Sequence, residues 1–439
     1  MREMKDSGVE WIGEIPVDWK LSKIKHHFSI SSGTTPKSDE PEYWDGDIVW
    51  ITPADFKTDD IFVCKGHRNL SQEGYRVSSL QLVPAGSIIF SKRAPIGQVV
   101  INAIDLCINQ GCLAAVLNDN SDARFYRYVM SIATEEFELS GSGTTFKEIS
   151  ATNFGNIHLP LASEQEQKKC ADYLDKKCSK IDEIIEKQQA IIDKLKEYKS
   201  SLITEAVTKG LNPNIEMKDS GAEFVGKIPK NWSVAKLGSL FNFIGGYAFN
   251  SAMYVSESQN QVVRMGNVKN GYMLLDSNPV FVNDEIAEQA KKFLIKPNYI
   301  LFTMTGTKGK RDYFFTHVVT DEDCEGKRLY INQRVGCFVA KEGVHPSYYG
   351  YLLKDNKILD GVFLYETGTA NQGNLGIDSI SRTKVHVPPY KEQIEISEYL
   401  SVRCKGVDKS IEERENVVEK LQEYKKSLIY EVVTGKKEV

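Results

Sequence analysis

Two stretches of the chain carry apolar residues at heptad spacing. In residues 161–209, Ile181, Ile184, Gln188, Ile191, Leu195, Tyr198 and Leu202 step by three and four in turn, with charged residues between them. Residues 389–439 place Val407, Ser410, Arg414, Val417, Leu421, Tyr424 and Leu428 in the same way. The pattern predicts two long helices, each with a seam that faces another helix. At 1.5 Å per residue each would be about 63 Å long, too long to bury its seam on one compact domain. The two are therefore expected to pack on each other. Only the segment from Lys209 to Glu216 separates the first helix from the next folded region, and eight residues reach at most about 28 Å. That reach permits an antiparallel pair and forbids a parallel one. Polar Gln188, Ser410 and Arg414 on the seam are expected to help fix its register.

The rest of the chain has strand-like patterning. GDIVWI (46–51), GSIIFS (86–91), GQVVIN (97–102) and CLAAVL (112–117) are short apolar runs bounded by Gly, Pro or Asp. QVVRMG (261–266), YILFTM (299–304), HVVT (317–320) and VGCFVA (335–340) repeat the theme. These predict β-strands. Helices are expected at 123–133 and, comparably, at 347–360. Each globular region is read as α+β around a twisted, curved sheet.

The two halves are copies of one unit. MKDSGVEWIGEIPVDWKLSKI at 4–24 returns as MKDSGAEFVGKIPKNWSVAKL at 217–237, and EQKKCADYLDKKC at 166–178 returns as EQIEISEYLSVRC at 392–404. The offset between copies grows from 213 to 226 residues, so the intervening region is longer in the second half. Between these signatures, residues 25–160 and 238–388 share little beyond fragments such as Ile108-Asn109-Gln110 and Ile331-Asn332-Gln333. A self-similar chain of this kind is read as repeated structural units. The expected domains are a first globular module at 1–160, a helix at 161–209, a linker at 210–216, a second module at 217–388 and a second helix at 389–439. The helix pair would hold the two modules apart in a pseudo-two-fold dumbbell. Trp19 and Trp232 in the repeated opening segments are expected to be core anchors that join each module to the helices.

Composition narrows the function. The 439 residues are 41% hydrophobic and 26% charged, an ordinary globular balance. No apolar run is long enough for a membrane span and the N-terminus has no signal-peptide pattern, so a cytoplasmic protein is expected. A net charge of −5 argues against a polybasic coat on nucleic acid but leaves room for local basic faces. The eight cysteines form no Cys-x-x-Cys pair, which favours reduced, mostly buried thiols over a zinc site.

Gly306-Thr307-Lys308-Gly309-Lys310-Arg311 lacks the spacing and hydroxyl of a phosphate-binding loop. Val387-Pro388-Pro389-Tyr390 resembles the Asn/Asp-Pro-Pro-Tyr loop of amino-methyltransferases, but Val387 cannot hydrogen-bond an amino group. The segment is better read as the end of a strand before a helix. No catalytic residue and no metal ligand is assigned.

Residues suited to DNA gather in Gly-punctuated loops of both modules. The first offers Thr34, Thr35 and Lys37, then Lys92 and Arg93 directly after a strand, then Thr144 and Lys147 in a Ser/Thr loop. The second offers Tyr247 and Asn250, then Lys308, Lys310 and Arg311, then Asn371 and Gln372. Arg and Lys contact guanine or phosphate, Asn and Gln contact adenine, and Ser or Thr contact either.

The opening segments, the Glu-Gln pair before Tyr-Leu, Leu195-Lys-Glu-Tyr-Lys-Ser-Ser-Leu202 and its counterpart, and the Val-Thr helix ends resemble the DNA specificity subunit of type I restriction-modification systems, over essentially the whole chain and twice. The resemblance implies two target recognition domains, each reading half of a split double-stranded DNA site. It implies helices that set the gap and dock methylation subunits, two of them expected, with restriction subunits in the full complex. It implies no catalysis in this chain, S-adenosylmethionine, ATP and Mg belonging to the partners. A duplicated protein- or carbohydrate-binding scaffold on a coiled-coil rod is the alternative.

Overall fold

The computed structural model describes residues 2–56, 61–93, 95–143, 147–369 and 371–439. The chain forms two compact units, one of Met1–Ala190 with Arg414–Val439 and the other of Ile191–Glu413. Each unit is a globular module together with about half of each long helix, Glu164–Lys209 and Tyr390–Val433.

In the first unit, Phe28–Ser32, Cys112–Leu117, Ile88–Ser91, Val99–Asn102 and Phe62–Val63 form a five-stranded sheet in that order. It is antiparallel except at its last pair. A smaller sheet sets Trp44–Ile51 between Cys107–Ile108, parallel to it, and Arg68–Leu70. Ile88, Ile89 and Phe90 are all fully buried, one face of the strand toward helices and the other toward the second sheet. Covering both faces explains why these strands read as continuous apolar runs and not as alternating ones.

The second unit repeats the plan. Phe241–Gly245, Val335–Ala340, Ile300–Thr303 and Thr316–Val318 form one sheet, and a second contains Asn260–Val263 parallel to Arg328–Ile331. A third joins Thr305–Gly306 to the hairpin Thr367–Thr369 and Gln372–Asn374; in the first unit its counterpart is reduced to single bridges from Glu148 to Arg93 and to Ser142. The helix expected at 347–360 is two helices, Pro346–Leu352 and Asn356–Phe363. Asp355 interrupts it, because its carboxylate caps Lys357 N and Ile358 N and starts a new helix. Its first-unit counterpart is likewise followed by a separate helix, Thr134–Leu139.

The repeated segments close each module. Lys20–Lys23 pairs antiparallel with His158–Leu161, and Ser233–Lys236 with Lys384–Val387, so both ends of each variable region leave side by side. Trp19 and Trp232 are each 1% exposed. Trp19 lies edge-on to Phe125 and against Gly435, while Trp232 lies edge-on to Tyr348 and against Gly210. Gly210 and Gly435 have φ of 76° and 71°, the left-handed conformation that ends a helix.

Within each unit the two helices run antiparallel. In the first, Cys170 meets Val432, Asp182 meets Lys425 and Gln188 meets Arg414. In the second, Tyr198 meets Arg403 and Lys199 meets Asp408.

The expected seam needs correction at alternate positions. Ile181 and Leu428 are buried, and Leu195, Leu202, Val407 and Leu421 are half-buried. Ile184, Ile191, Tyr198, Val417 and Tyr424 are exposed. Their C-terminal neighbours Ile185, Ile192, Lys199, Val418 and Lys425 face inward instead. The doublets Ile184-Ile185, Ile191-Ile192 and Val417-Val418 fit either stepping, so periodicity alone cannot choose between them. The helix pair chooses the second member, and this lets Lys199 and Lys425 reach their aspartates.

Candidate nucleic-acid interface

The loops picked out in the sequence do not stand alone; each module brings them together in the same way. Strand Phe28–Ser32 runs into Gly33, whose backbone lies so close to the carbonyls of Ile108 and Asn109 that any Cβ there would collide with them. In the second unit Gly246 lies equally close to the carbonyl of Asn332, one residue further along the equivalent triplet. The first loop is thereby seated on the Asn-Gln turn that follows a buried strand.

In the first module, the indole N–H groups of Trp50 and Trp44 donate to the carbonyls of Thr34 and Lys37, at 3.2 and 3.0 Å. The Thr35 hydroxyl donates to Gln110, and that of Thr34 to Ser78 O. Lys37 stays exposed. Two aromatic anchors thus fix a loop that displays hydroxyls, an amide and a cation.

Lys92 and Arg93 lie on either side of one carboxylate. Glu148 accepts from Lys92 Nζ at 3.0 Å and Arg93 Nε at 2.7 Å. Against burial that would raise it, these bonds hold the Glu148 carboxyl below its ordinary range. The pair therefore presents about one net positive charge, not two. Lys147 is exposed beside them, and Thr144 lies outside the described residues.

In the second module, Tyr247 packs with Phe249 and Phe293, ring centroids 4.8 and 5.4 Å apart, in a small aromatic cluster. Asn250 accepts from Ala252 N and caps the turn Ser251–Met253. Both side chains are engaged internally. The cationic loop and the Thr367–Asn374 hairpin are brought together: Lys308 Nζ donates to Gly368 O at 3.0 Å, and Gly309 N donates to Glu366. Arg311 pairs with Asp360 at 2.5 Å over the Phe363 ring. Lys310, Asn371 and Gln372 are exposed around the same spot.

Sequence reasoning missed the acidic partners Glu148, Asp360 and Glu366, which are distant in the chain from the cations they neutralise. It also passed over Gln110, Arg264, Gln333 and Arg334. The repeated Ile-Asn-Gln triplet was the available signal for Gln110 and Gln333, since it recurs where the rest has diverged.

Six of the eight cysteines are buried and all are free. Burial pushes the Cys107 thiol up to about 11. Among the described residues no cluster of His, Cys, Asp or Glu could hold a metal ion. No helix there is long and apolar enough to cross a membrane.

Comparison with known proteins agrees with this duplicated plan. The family described as type I restriction modification DNA specificity domain matches twice, over residues 16–197 and 229–420. The MjaIX specificity subunit of a type I restriction enzyme from Methanocaldococcus jannaschii is 31% identical over 304 residues, covering 67% of this chain and 68% of that protein. The MjaVIII specificity subunit of the same organism is 24% identical over 324 residues, or 73% and 71% of the two chains. A structure solved in a study of complex assembly and conformational transition of the type I R-M system superposes with a TM-score of 0.70 at 12% identity, covering 95% and 98%. The HsdS subunit from Thermoanaerobacter tengcongensis superposes with a TM-score of 0.50 at 12% identity, covering 96% and 98%. With two family matches that leave out little beyond the linker and the two ends, the chain belongs to the type I restriction-modification DNA specificity family, as a specificity subunit with two target recognition domains.

Proposed function

We propose that each module binds one half of a split double-stranded DNA site and that the helices fix the spacing and rotational phase between the halves. The observation that carries this reading is a shared frame with different contents. Both modules seat a Gly-led loop on an Asn-Gln turn and bring a cationic loop to a polar one. The side chains presented differ: Thr34, Thr35, Gln110, Lys37, Lys92, Arg93 and Lys147 in one, Lys308, Lys310, Arg311, Asn371 and Gln372 in the other. Thr144 is kept as a candidate on sequence grounds, and Tyr247 and Asn250 serve to shape the second surface.

The chain itself carries out no catalysis in this reading. Methylation subunits supply S-adenosylmethionine and the methyl transfer, and restriction subunits supply ATP- and Mg-dependent cleavage, in the cytoplasm. Exposed Ile184, Val417 and Tyr424 flank the helix seam in the first unit, as Ile191 and Tyr198 do in the second. Apolar residues repeating along a helix flank suit a partner's helices, and the repeat offers the same flank twice, which favours two methylation subunits.

The test is selection of duplexes from a random pool by the chain with its methylation subunits, followed by salt titration. One gapped sequence and a steep salt slope are expected. Sequence-blind, salt-insensitive binding would contradict the reading. Lys310→Ala with Arg311→Ala should weaken the preference at one half-site and leave the other intact; equal loss at both halves would refute independent modules.

A further inference from the structure

In the second unit the parallel strands Asn260–Val263 and Arg328–Ile331 end side by side. A one-turn helix, Met265–Asn267, follows the first, and the Asn332–Arg334 turn follows the second. With Ser277 and Asn278 these turns enclose an open recess of about 470 Å³. Its lining includes Arg264, Arg334, Asn267, Asn332, Gln333 and Asn278, and no carboxylate.

Two features set these arginines apart. Several cations of this module face an acid, as Arg311 faces Asp360, Arg328 faces Asp284 and Lys327 faces Asp276. Arg264 and Arg334 face none among the described residues. Arg264 donates from Nη2 to Asn278 O, which holds the guanidinium at the recess wall, and its buried Nε finds no partner. The side chains of Arg334 and Gln333 are exposed and make no hydrogen bond among the described residues. A half-buried guanidinium with an unpaired N–H next to a free one is costly unless an anion completes it.

We propose that this recess seats a backbone phosphate of the DNA bound by the second module, with Arg264 and Arg334 as charged donors and Gln333 as a neutral one. The proposal rests on reading the module as DNA-binding. Shape selects phosphate over base edge: a concave site fits the ridge of the duplex, whereas a base edge lies at the floor of a groove about 8.5 Å deep. Arg264, pinned at the wall by Asn278 O, cannot extend that far. Among its described residues the first module has no equivalent seat. There the parallel strands Trp44–Ile51 and Cys107–Ile108 end in the same two turns, but Thr52 and Gly111 stand where the arginines are. Asp55 replaces Asn267, its carboxylate accepting from Thr52 N as the Asn267 amide accepts from Arg264 N. Among the described residues, the module that lacks both cations carries an acid at the neighbouring Asn267 position, so the seat belongs to the second half-site alone.

The experiment uses the full chain with its methylation subunits and a duplex selected by the wild type. Arg334→Ala, at an exposed position, should lower affinity on the order of tenfold and reduce the salt slope by about one, by the same factor for variant half-sites. Arg334→Lys should restore most of the slope, and Arg264→Lys should lower affinity in the same sequence-independent way. Loss of preference at a single base pair would show base reading and overturn the proposal. So would unchanged affinity and slope in Arg334→Ala. Failure of the wild-type complex to bind any duplex would instead remove the functional reading beneath it.

Discussion

Gln167 and Gln393 explain why the Glu-Gln pair occurs in both copies. Each is 1% exposed at the start of a long helix. Gln167 donates to Ala162 O and accepts from Asp122 N; Gln393 donates to Pro388 O and accepts from His345 N. One amide thus ties the long helix to the helix that begins at Ala123 or Pro346. A Leu of similar size would strand a buried carbonyl and a buried N–H. Gln393→Leu should therefore destabilise the second unit by about 1–3 kcal/mol in denaturant melts, with little loss from an exposed control such as Gln372→Leu. His386 sets a pH limit on the same unit. It is 1% exposed, its Nε2–H donates to Val225 O at 3.2 Å, and its ring lies edge-on to Trp232. Burial lowers its pKa to about 4, against the weaker upward pull of that hydrogen bond. The folded state then binds fewer protons than the unfolded one between about pH 6.5 and 4, so stability falls as pH drops through that window. The loss should approach roughly 2–3 kcal/mol near pH 4. His386→Gln should flatten the profile; an unchanged slope would assign the acid sensitivity to other groups.

At the scale of elements, the helix pair makes its repeat visible in its ion pairs. Lys199 and Lys425 are equivalent residues of the two copies, as are Asp182 and Asp408, and each Lys meets the other copy's Asp. Gln188 and Arg414 are also equivalents and meet each other directly at 2.7 Å. The Asp182–Lys425 pair is about three-quarters buried at both side chains, whereas Glu183–Lys187 on one helix is largely exposed. A double-mutant cycle should give a coupling of about 0.5–1 kcal/mol for the first and a clearly smaller one for the second. Equal values would mean that the pair in the seam gains nothing from partial burial. Helix existence, length and direction were all legible, from heptads and a short linker. The seam's register was not, because adjacent apolar doublets satisfy two steppings and only the partner helix distinguishes them. The break at Asp355 was hidden for a similar reason: Asp caps and Asp on a helix surface look alike until the carboxylate's partners are known.

For the whole molecule, the repeat makes the modules exchangeable in principle. The paired strands Ser233–Lys236 and Lys384–Val387 bring both ends of residues 238–388 together, and the flanking segments are the ones shared by the two copies. Exchanging that region for its counterpart from another family member should give a folded chain whose selected site changes in one half only. A change in both halves, or in the gap, would show that the modules and the spacer are coupled.

The chain's own pattern determined a great deal: two copies, two long helices, β-rich modules between repeated signatures, and buried tryptophans joining them. These are properties of local periodicity and of self-similarity, which need no third dimension. Only the tertiary structure decided which polar groups remain free to meet a ligand. Lys92 and Arg93 share Glu148, Arg311 is held by Asp360, and Asn250 is spent on a turn, while Arg264 and Arg334, unremarked in the sequence, face an acid-free recess. The reason is physical: a side chain's availability is set by what the fold places within a few ångströms, and for these residues the partners come from strands and loops far away along the chain.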